Sequence, residues 1–558
     1  MKIPVGATVG ERLGAWIATV RVEDVPQRVL ELARHQLVNV VASIHAGTPT
    51  EEARAVERAV ARHATPGRVT VLPTGERWSL ADALTVSSAR SMALDYDDYL
   101  YLGHTGHSAV LASLAIAELE GRTMDELLLA QVVANEIAGR VGASCVLGPQ
   151  NGQAWSFIHA AGAAAAGAKI LGLDAARTAH ALAIALYQPT FTLWPGFMGP
   201  GSKVLTAAGP TIAGVQAAYC AAEGLTGARE IFEHRRKGLW RFFSFVPIPH
   251  AMTGLGRSWV TDTLAFKRYP GCAYIDTTMD ALFRLLDQQR VTDGHALAPE
   301  AIERIEVDAS LLTVEMDNLS AEHRSEVGLS AVFANFSIPL SVAIGVVAAA
   351  LTPRELEPEF LAMHETTLRA LASRVVLRHD WGATLTVAEA FDGAFGSSSV
   401  VAALRLVDFW KVARGYAREL GGRRSHGLDL AGLLGAHRRR LRAALRRGRA
   451  RRADARLRGT RPDLGSVDLT AFRMAFPATV TIVLHDGRRL CATQEVPVGA
   501  PGENDRLAAV RAKCERELGR RHGGEAAGRL ASVLDSGNSP GIADLIALAC
   551  ARPPDDER

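Results

Sequence analysis

Apolar positions recur every three to four residues through most of the N-terminal half. Leu30, Ala33, Leu37, Val40, Val41 and Ile44 share one helical face, opened by Asp24 and Pro26 and closed by Gly47. Further Ala- and Leu-rich stretches follow at 80–94, 107–120, 124–147, 157–171, 175–187 and 205–223, separated by Gly, Asp, Asn or Pro. This pattern predicts a compact all-helical domain, because small Ala and Gly faces let helix axes approach closely. Val69–Leu72 reads as a short strand. After about residue 265 the period changes. Ile302–Val307 alternates as a strand does, and Val375–Leu377 is similar. Thr479–Leu484, the Asp486-Gly487 turn and Arg488–Val496 read as a β-hairpin. Helical stretches at 274–288 and 338–351 lie between them, so the middle of the chain reads as α+β. The stretches 504–518 and 525–535 are helical again.

Residues 382–470 interrupt this order with a Gly/Ser patch, a helical stretch near 402–418 and a basic run. Twelve arginines and one acid lie between His437 and Arg461. The whole chain carries +3, so that run contributes about +11 and leaves the rest near −8. A basic run can mark a nucleic-acid surface. No aromatic residue interleaves these arginines, so a solvated surface insertion is expected and nucleic acid is not.

With 558 residues, 48% hydrophobic and 22% charged, the composition is that of a globular protein with large cores, not of a disordered or fibrous one. The richest apolar run, Ile338–Leu351, is too short for a bilayer span and is broken by Pro339, Ser341 and Gly345. The first residues, MKIPVGATVGERLGAW, lack the pattern of a secretory signal. Six cysteines lie far apart with no CxxC, which argues against a zinc ribbon or a disulfide framework. The cytoplasm is the expected compartment, and no membrane is expected as a partner.

Three segments carry candidate chemistry. LDYDDYLYLGHTGHSAV, from Leu94, places Asp95, Asp97 and Asp98 within one turn of each other, then His104 and His107. Acids and imidazoles on one short segment suit proton transfer. Asp and His also ligate metals, but no HExxH-like scaffold accompanies them, so no metal is expected. GFMGPGSKVLTAAG, from Gly196, sets Lys203 after a Gly/Pro-rich loop, a position that suits an anion. AFKRYPGC, from Ala265, sets Lys267, Arg268 and Cys272 where the composition changes; paired cations at a domain junction suit a carboxylate. There is no GxSxG, no convincing GxGxxG and no Walker A loop, which disfavours hydride transfer and ATP chemistry.

Together, in order and spacing, these segments resemble the MmgE/PrpD family, which includes 2-methylcitrate dehydratase, cis-aconitate decarboxylase and iminodisuccinate epimerase. The resemblance also runs through AGAAAAGAKILGLDAARTAHALAIA from Ala161, ANFSIPLSVA from Ala334 and AFPATVTIVLHDG from Ala475. It covers about 1–380 and 470–535. It implies a mainly α protein with a large all-helical domain, 1–265 completed by the C-terminal helices 503–558, and a smaller α+β domain, 266–502, carrying the atypical Arg-rich insertion at about 382–470. It further implies a cofactor-free homodimer with its active site between the domains, acting on small carboxylates.

Carried over by position, the family's active-site aspartate falls on Asp95, its histidine on His104 or His107, and its lysines on Lys203 and Lys267. Asp98, Tyr99, Gln153, His159, Arg268, Cys272 and Asp276 are the expected substrate-binding residues. Two positions depart from the pattern. A histidine common in the family is Gln153 here, another is Asp276, and His159 is a nearby imidazole. These departures point to a bulkier or less charged substrate.

The implied chemistry is removal of a proton α to a carboxylate, with the two lysines stabilising the charge and an imidazole–aspartate pair moving the proton. The expected function is a cofactor-independent lyase, dehydratase-like, with hydration chemistry of the 4.2.1 type. The alternatives are an epimerase or decarboxylase on the same scaffold, placed in secondary metabolism, and a non-catalytic homologue that binds a partner through the Arg-rich insertion.

Overall fold

The structure, a computed structural model, describes residues 6–101, 103–149, 156–321, 328–394, 406–419, 435, 437–440, 442–443, 446, 463–503, 505–535, 537 and 539–551. It is mainly α. The helical periods of the sequence become Gln27–Gly47, Leu80–Met92, Gly106–Leu119, Met124–Ser144, Ile158–Ile170, Ala175–Leu186 and Ala208–Ala222. Their starts follow ordinary capping chemistry. Ser79, Thr123 and Asp174 each accept a backbone N–H from the first turn, and Thr123 with Glu126 forms a reciprocal capping box. These helices share one large core with Val9–Thr19 and the C-terminal helix Ala508–Ala531, which is kinked at Gly523.

Small residues set the spacing inside that core. Ile158–Ile170 packs against both Met124–Ser144 and Ala208–Ala222. At Gly214 a Cβ would lie 2.3 Å from the carbonyl oxygen of Ala160 and 2.8 Å from Ala163 Cβ, so the second backbone runs almost on the first.

A second core forms around a four-stranded sheet in the order Val375–His379, Ile302–Ala309, Ala478–Leu484, Arg489–Gln494. The first pair is parallel and the others antiparallel. Asp276–Asp293, Ile338–Ala348 and Pro358–Ala372 contribute to this core. Ala46, from the helix Gln27–Gly47, and Leu94 and Tyr96, from the acidic segment, also enter it. The two cores therefore meet beside the acidic segment.

Parts of 382–470 are anchored in the helical core. Trp381–Ala394 inserts Val387 and Ala394, and Leu464 and Leu469 are buried there too. Tyr416, on the helix Leu406–Glu419, meets Phe245 edge-on at 5.4 Å. Most of the Arg-rich run lies outside the described residues. Among the described residues, no helix is long and apolar enough to cross a membrane, and the six cysteines are free.

Gly214→Ala is expected to cost about 1–3 kcal/mol, because the two helices must separate to admit the methyl group. Gly209→Ala, on the same helix but with open space around its Cβ position, is expected to be neutral or stabilising by up to about 1 kcal/mol. Urea denaturation of the two variants checks this.

Candidate active site

A two-stranded connection builds the centre. Asp98–Leu100 pairs antiparallel with Leu264–Phe266, with Asp98 opposite Phe266. The pairing continues past the strands: Lys267 N donates to the Asp97 carbonyl at 3.1 Å and Gly271 N to the Asp95 carbonyl at 3.3 Å. Lys267 is thereby laid alongside the aspartates, although about 170 residues separate them in sequence. Asp95 takes a left-handed backbone, φ 49°, uncommon for a residue with a side chain. The Lys267 ammonium holds this turn by donating to the Asp95 carbonyl at 2.8 Å.

Alternation along the extended segment then sorts the acids. Asp95 and Asp97 face the lysines and imidazoles. Asp98 faces the opposite way, into a buried amide network: Gln36 Nε2 donates to it at 2.8 Å and Gly106 N at 3.2 Å. Gln131 and Asn135 in turn donate to Gln36 Oε1.

Four charges meet at the centre, each at most 1% exposed. Lys203 Nζ lies 3.3 Å from Asp95 Oδ1. Lys267 Nζ lies 3.3 Å from Asp95 Oδ2 and 3.3 Å from Asp97 Oδ1. Lys203 comes from the short 3-10 turn Gly201–Leu205, and its ammonium also sits over the Phe336 ring, 4.6 Å from the centroid.

The histidines divide their roles by geometry. His104 Nδ1 contacts both Asp97 oxygens, at 3.1 and 3.0 Å. A carboxylate only accepts, so Nδ1 carries the proton and Nε2 keeps its lone pair in the neutral ring. His107 Nδ1 lies 2.8 Å from Ser91 Oγ, and its Nε2 lies 2.9 Å from Asp97 Oδ2, an ion-pair contact without hydrogen-bond geometry. Its ring is fully buried and stacks on His104, 8° from parallel with centroids 6.2 Å apart. His104 retains some exposed surface. His104 thus has the more accessible ring, while His107 is enclosed beside Asp97. His159, also fully buried, shares Ser108 Oγ at 3.0 Å through Nδ1, while its Nε2 has no hydrogen-bond partner among the described residues.

Electrostatics sharpen these roles. Burial works to raise Asp95, yet Lys203 and Lys267 hold it below the usual carboxylate value. Asp97 is likewise penalised by burial but held well below that range by His107, His104 and Lys267. Burial and the Lys267 charge lower His104, against the pull of Asp97. Burial lowers Lys203, while Asp95 and Asp97 keep Lys267 protonated against the same penalty. Burial, with a smaller push from Asp95, raises the Cys272 thiol to about 12, so it is a neutral group and not a nucleophile.

Asp97, His104 and His107 could by distance hold a metal ion, since one ligand atom from each lies within 4.8 Å of the others. The Lys267 ammonium already occupies the charge-balancing place beside Asp97, so an added cation would meet like charge there.

Of the residues singled out in the sequence, Asp95, Asp97, His104, His107, Lys203 and Lys267 come together, with Cys272 and Asp276 close enough to shift the same titrations. Arg268 does not join them. Its side chain is half exposed and pairs with Asp280 at 3.6 Å. Gln153 lies outside the described residues. Lys513, from the C-terminal helix, was not singled out. It is buried behind the acidic segment and donates to Asn39 Oδ1 and Ser43 Oγ, both at 2.9 Å, and to the Tyr96 carbonyl. A signal for it existed. The chain has seven lysines among its 62 basic residues, and three of the seven, Lys203, Lys267 and Lys513, are buried around this segment.

Burial and the Asp97 charge raise Asp98 from 3.8 to about 7. The folded state then keeps a proton that the unfolded chain releases above the ordinary aspartate value. Stability therefore declines as pH rises from about 4 toward 7. Asp98→Asn is expected to remove this share of the decline, which denaturant midpoints at pH 5 and pH 7.5 will show.

The chain is 24% identical over 330 residues to a cis-aconitate decarboxylase-like protein, oryM, of Aspergillus oryzae; the match covers 55% of this chain and 68% of that protein. It is 24% identical over 290 residues to a cis-aconitate decarboxylase of Aspergillus terreus, covering 48% of this chain and 58% of that one. Residues 11–248, which hold the acidic segment, the three histidines and Lys203, match the MmgE/PrpD N-terminal domain, and over these residues the chain is similar to the MmgE/PrpD family.

Proposed function

We propose that this protein is a lyase that acts on a small carboxylic acid through a carbanion α to a carboxylate, using only its own side chains. The observation that carries this reading is the pair of buried ammonium groups, each 3.3 Å from Asp95, beside an imidazole whose free nitrogen is Nε2. A substrate carboxylate drawn to Lys203 places its α-carbon next to His104. His104 Nε2 takes the α-proton. The C–H electron pair moves onto the carboxylate, and Lys203 and Lys267 stabilise the enediolate in a site with little water. Asp97 steadies the imidazolium that forms, and His107 keeps Asp97 aimed.

Elimination follows when the electron pair returns to form a C=C bond and a β-hydroxyl leaves as water after receiving a proton. Decarboxylation reaches the same carbanion by cleaving a C–C bond to release CO2, and the imidazolium then protonates the carbon. The names of the relatives favour this second reading, and the dehydratase-like reading rests on the family. Reprotonation on the opposite face would give an epimerase.

Incubation with a panel of small carboxylic acids in deuterated water, read by NMR together with CO2 release, tests the proposal. Solvent deuterium at an α-carbon is the expected result. His104→Gln and Lys203→Ala are each expected to slow exchange by about 10²–10⁴-fold; if both exchange at the rate of the unaltered protein, the reading is wrong. His104 must be neutral to act as base, so activity is lost as pH falls through its pKa. Because burial and Lys267 lower that value from 6.5, the acid limb of kcat/KM is expected below pH 6.5.

A further inference from the structure

Polar atoms shut inside a protein without a partner are rare, because each forfeits its hydration and gains nothing in return. Beside the catalytic cluster several occur together. Both amide atoms of Asn335, the Tyr99 hydroxyl and Asp276 Oδ2 have no hydrogen-bond partner among the described residues. The three residues are 0%, 2% and 1% exposed.

The fold gathers them around Cys272. Cys272 N donates to the Asn335 carbonyl at 2.8 Å, and a Cβ at Gly271 would lie 3.2 Å from that same oxygen. Asp276 begins its helix four residues after Cys272. The Tyr99 ring lies 6.5 Å from His104, centroid to centroid, and its phenol is raised by burial, with smaller pushes from Asp276 and Cys272. Phe336, next to Asn335, carries the Lys203 ammonium over its face. This group therefore adjoins the cationic pole of the site.

Asn335 and Tyr99 carry no charge. Burial and the neighbouring Asp280 raise Asp276 well above the carboxylate range, which favours its neutral, donating form. Asn335 offers two donors and an acceptor, and Tyr99 offers a hydroxyl. Asn335, Tyr99 and Asp276 supply no cationic side chain of their own, so a second substrate carboxylate set against these three would meet no opposite charge among them. An uncharged group that both donates and accepts would satisfy the idle atoms.

We propose that Asn335, Tyr99 and Asp276 form a neutral recognition pole that selects an acid bearing an uncharged hydrogen-bonding substituent, a hydroxyl or a carboxamide, beside the carboxylate held by Lys203. This rests on the reading of the site as a carboxylic-acid lyase, and it names the substrate class within that reading.

Isothermal titration of the full chain with succinate, malate, succinamate and tricarballylate tests it. Malate and succinamate are expected to bind at least about tenfold more tightly than succinate and tricarballylate. Asn335→Leu should bring all four within about twofold of one another. It should also leave the thermal midpoint of the free protein equal or higher, since it removes idle polar atoms from the interior. Tyr99→Phe, which deletes one oxygen and keeps the ring, should weaken malate and succinamate but not succinate. Tighter binding of tricarballylate, a preference that survives both substitutions, or no binding by any of the four overturns the proposal. Deuterium exchange recorded in the same samples keeps the two ideas separable: a neutral-group preference without exchange sinks the lyase reading alone.

Discussion

The carboxylate of Asp95 sits between two buried ammonium groups, and the surrounding site depends on that arrangement. A lone charge in this interior would be prohibitively costly. Here each ion is offset by its neighbours: Lys203 and Lys267 flank Asp95, Lys267 also reaches Asp97, and Asp97 faces two imidazoles. Removing one partner would strand the others in a medium that solvates them poorly. The cluster therefore reads as one unit, two ammonium groups balanced by two carboxylates.

The fold supplies that unit by closing two cores on one segment. The acidic segment leaves the helix Leu80–Met92, passes through a left-handed turn at Asp95 and pairs with Leu264–Phe266. That short pairing carries Lys267 to the aspartates. Behind it, the C-terminal helix presses Lys513 against the Tyr96 carbonyl, so the face turned away from the lysines is also hydrogen-bonded. The left-handed turn at Asp95 and the step from Asp97 to Asp98 send the three side chains into different surroundings. Asp95 and Asp97 are ionised beside cations, while Asp98 is raised to about 7 among neutral amides.

Much of the architecture was legible along the chain. The helices from Gln27–Gly47 to Ala208–Ala222 follow the apolar period closely, and the strands Ile302–Ala309, Val375–His379 and Ala478–Leu484 follow the alternating one. Val9–Thr19, Glu51–Ala61, Leu311–Ala321 and Pro358–Ala372 were not singled out, although Thr8 with Glu11 forms a capping box and Thr50 caps the second of them. The site was legible as a set of residue types in three motifs. Arg268 illustrates the limit: it neighbours Lys267 in sequence, but a one-residue step on an extended backbone turns its side chain outward to Asp280.

The sequence by itself determined the helical body, the mixed lobe and the identity of the charged residues at the centre, because periodicity and residue chemistry are local properties. The tertiary structure alone decided that His104 keeps an accessible ring while His107 is enclosed beside Asp97, and that Lys513 adjoins the acidic segment. Those are matters of direction and distance between residues as many as 417 positions apart. No local pattern encodes them; they arise only when two cores bury opposite charges against each other.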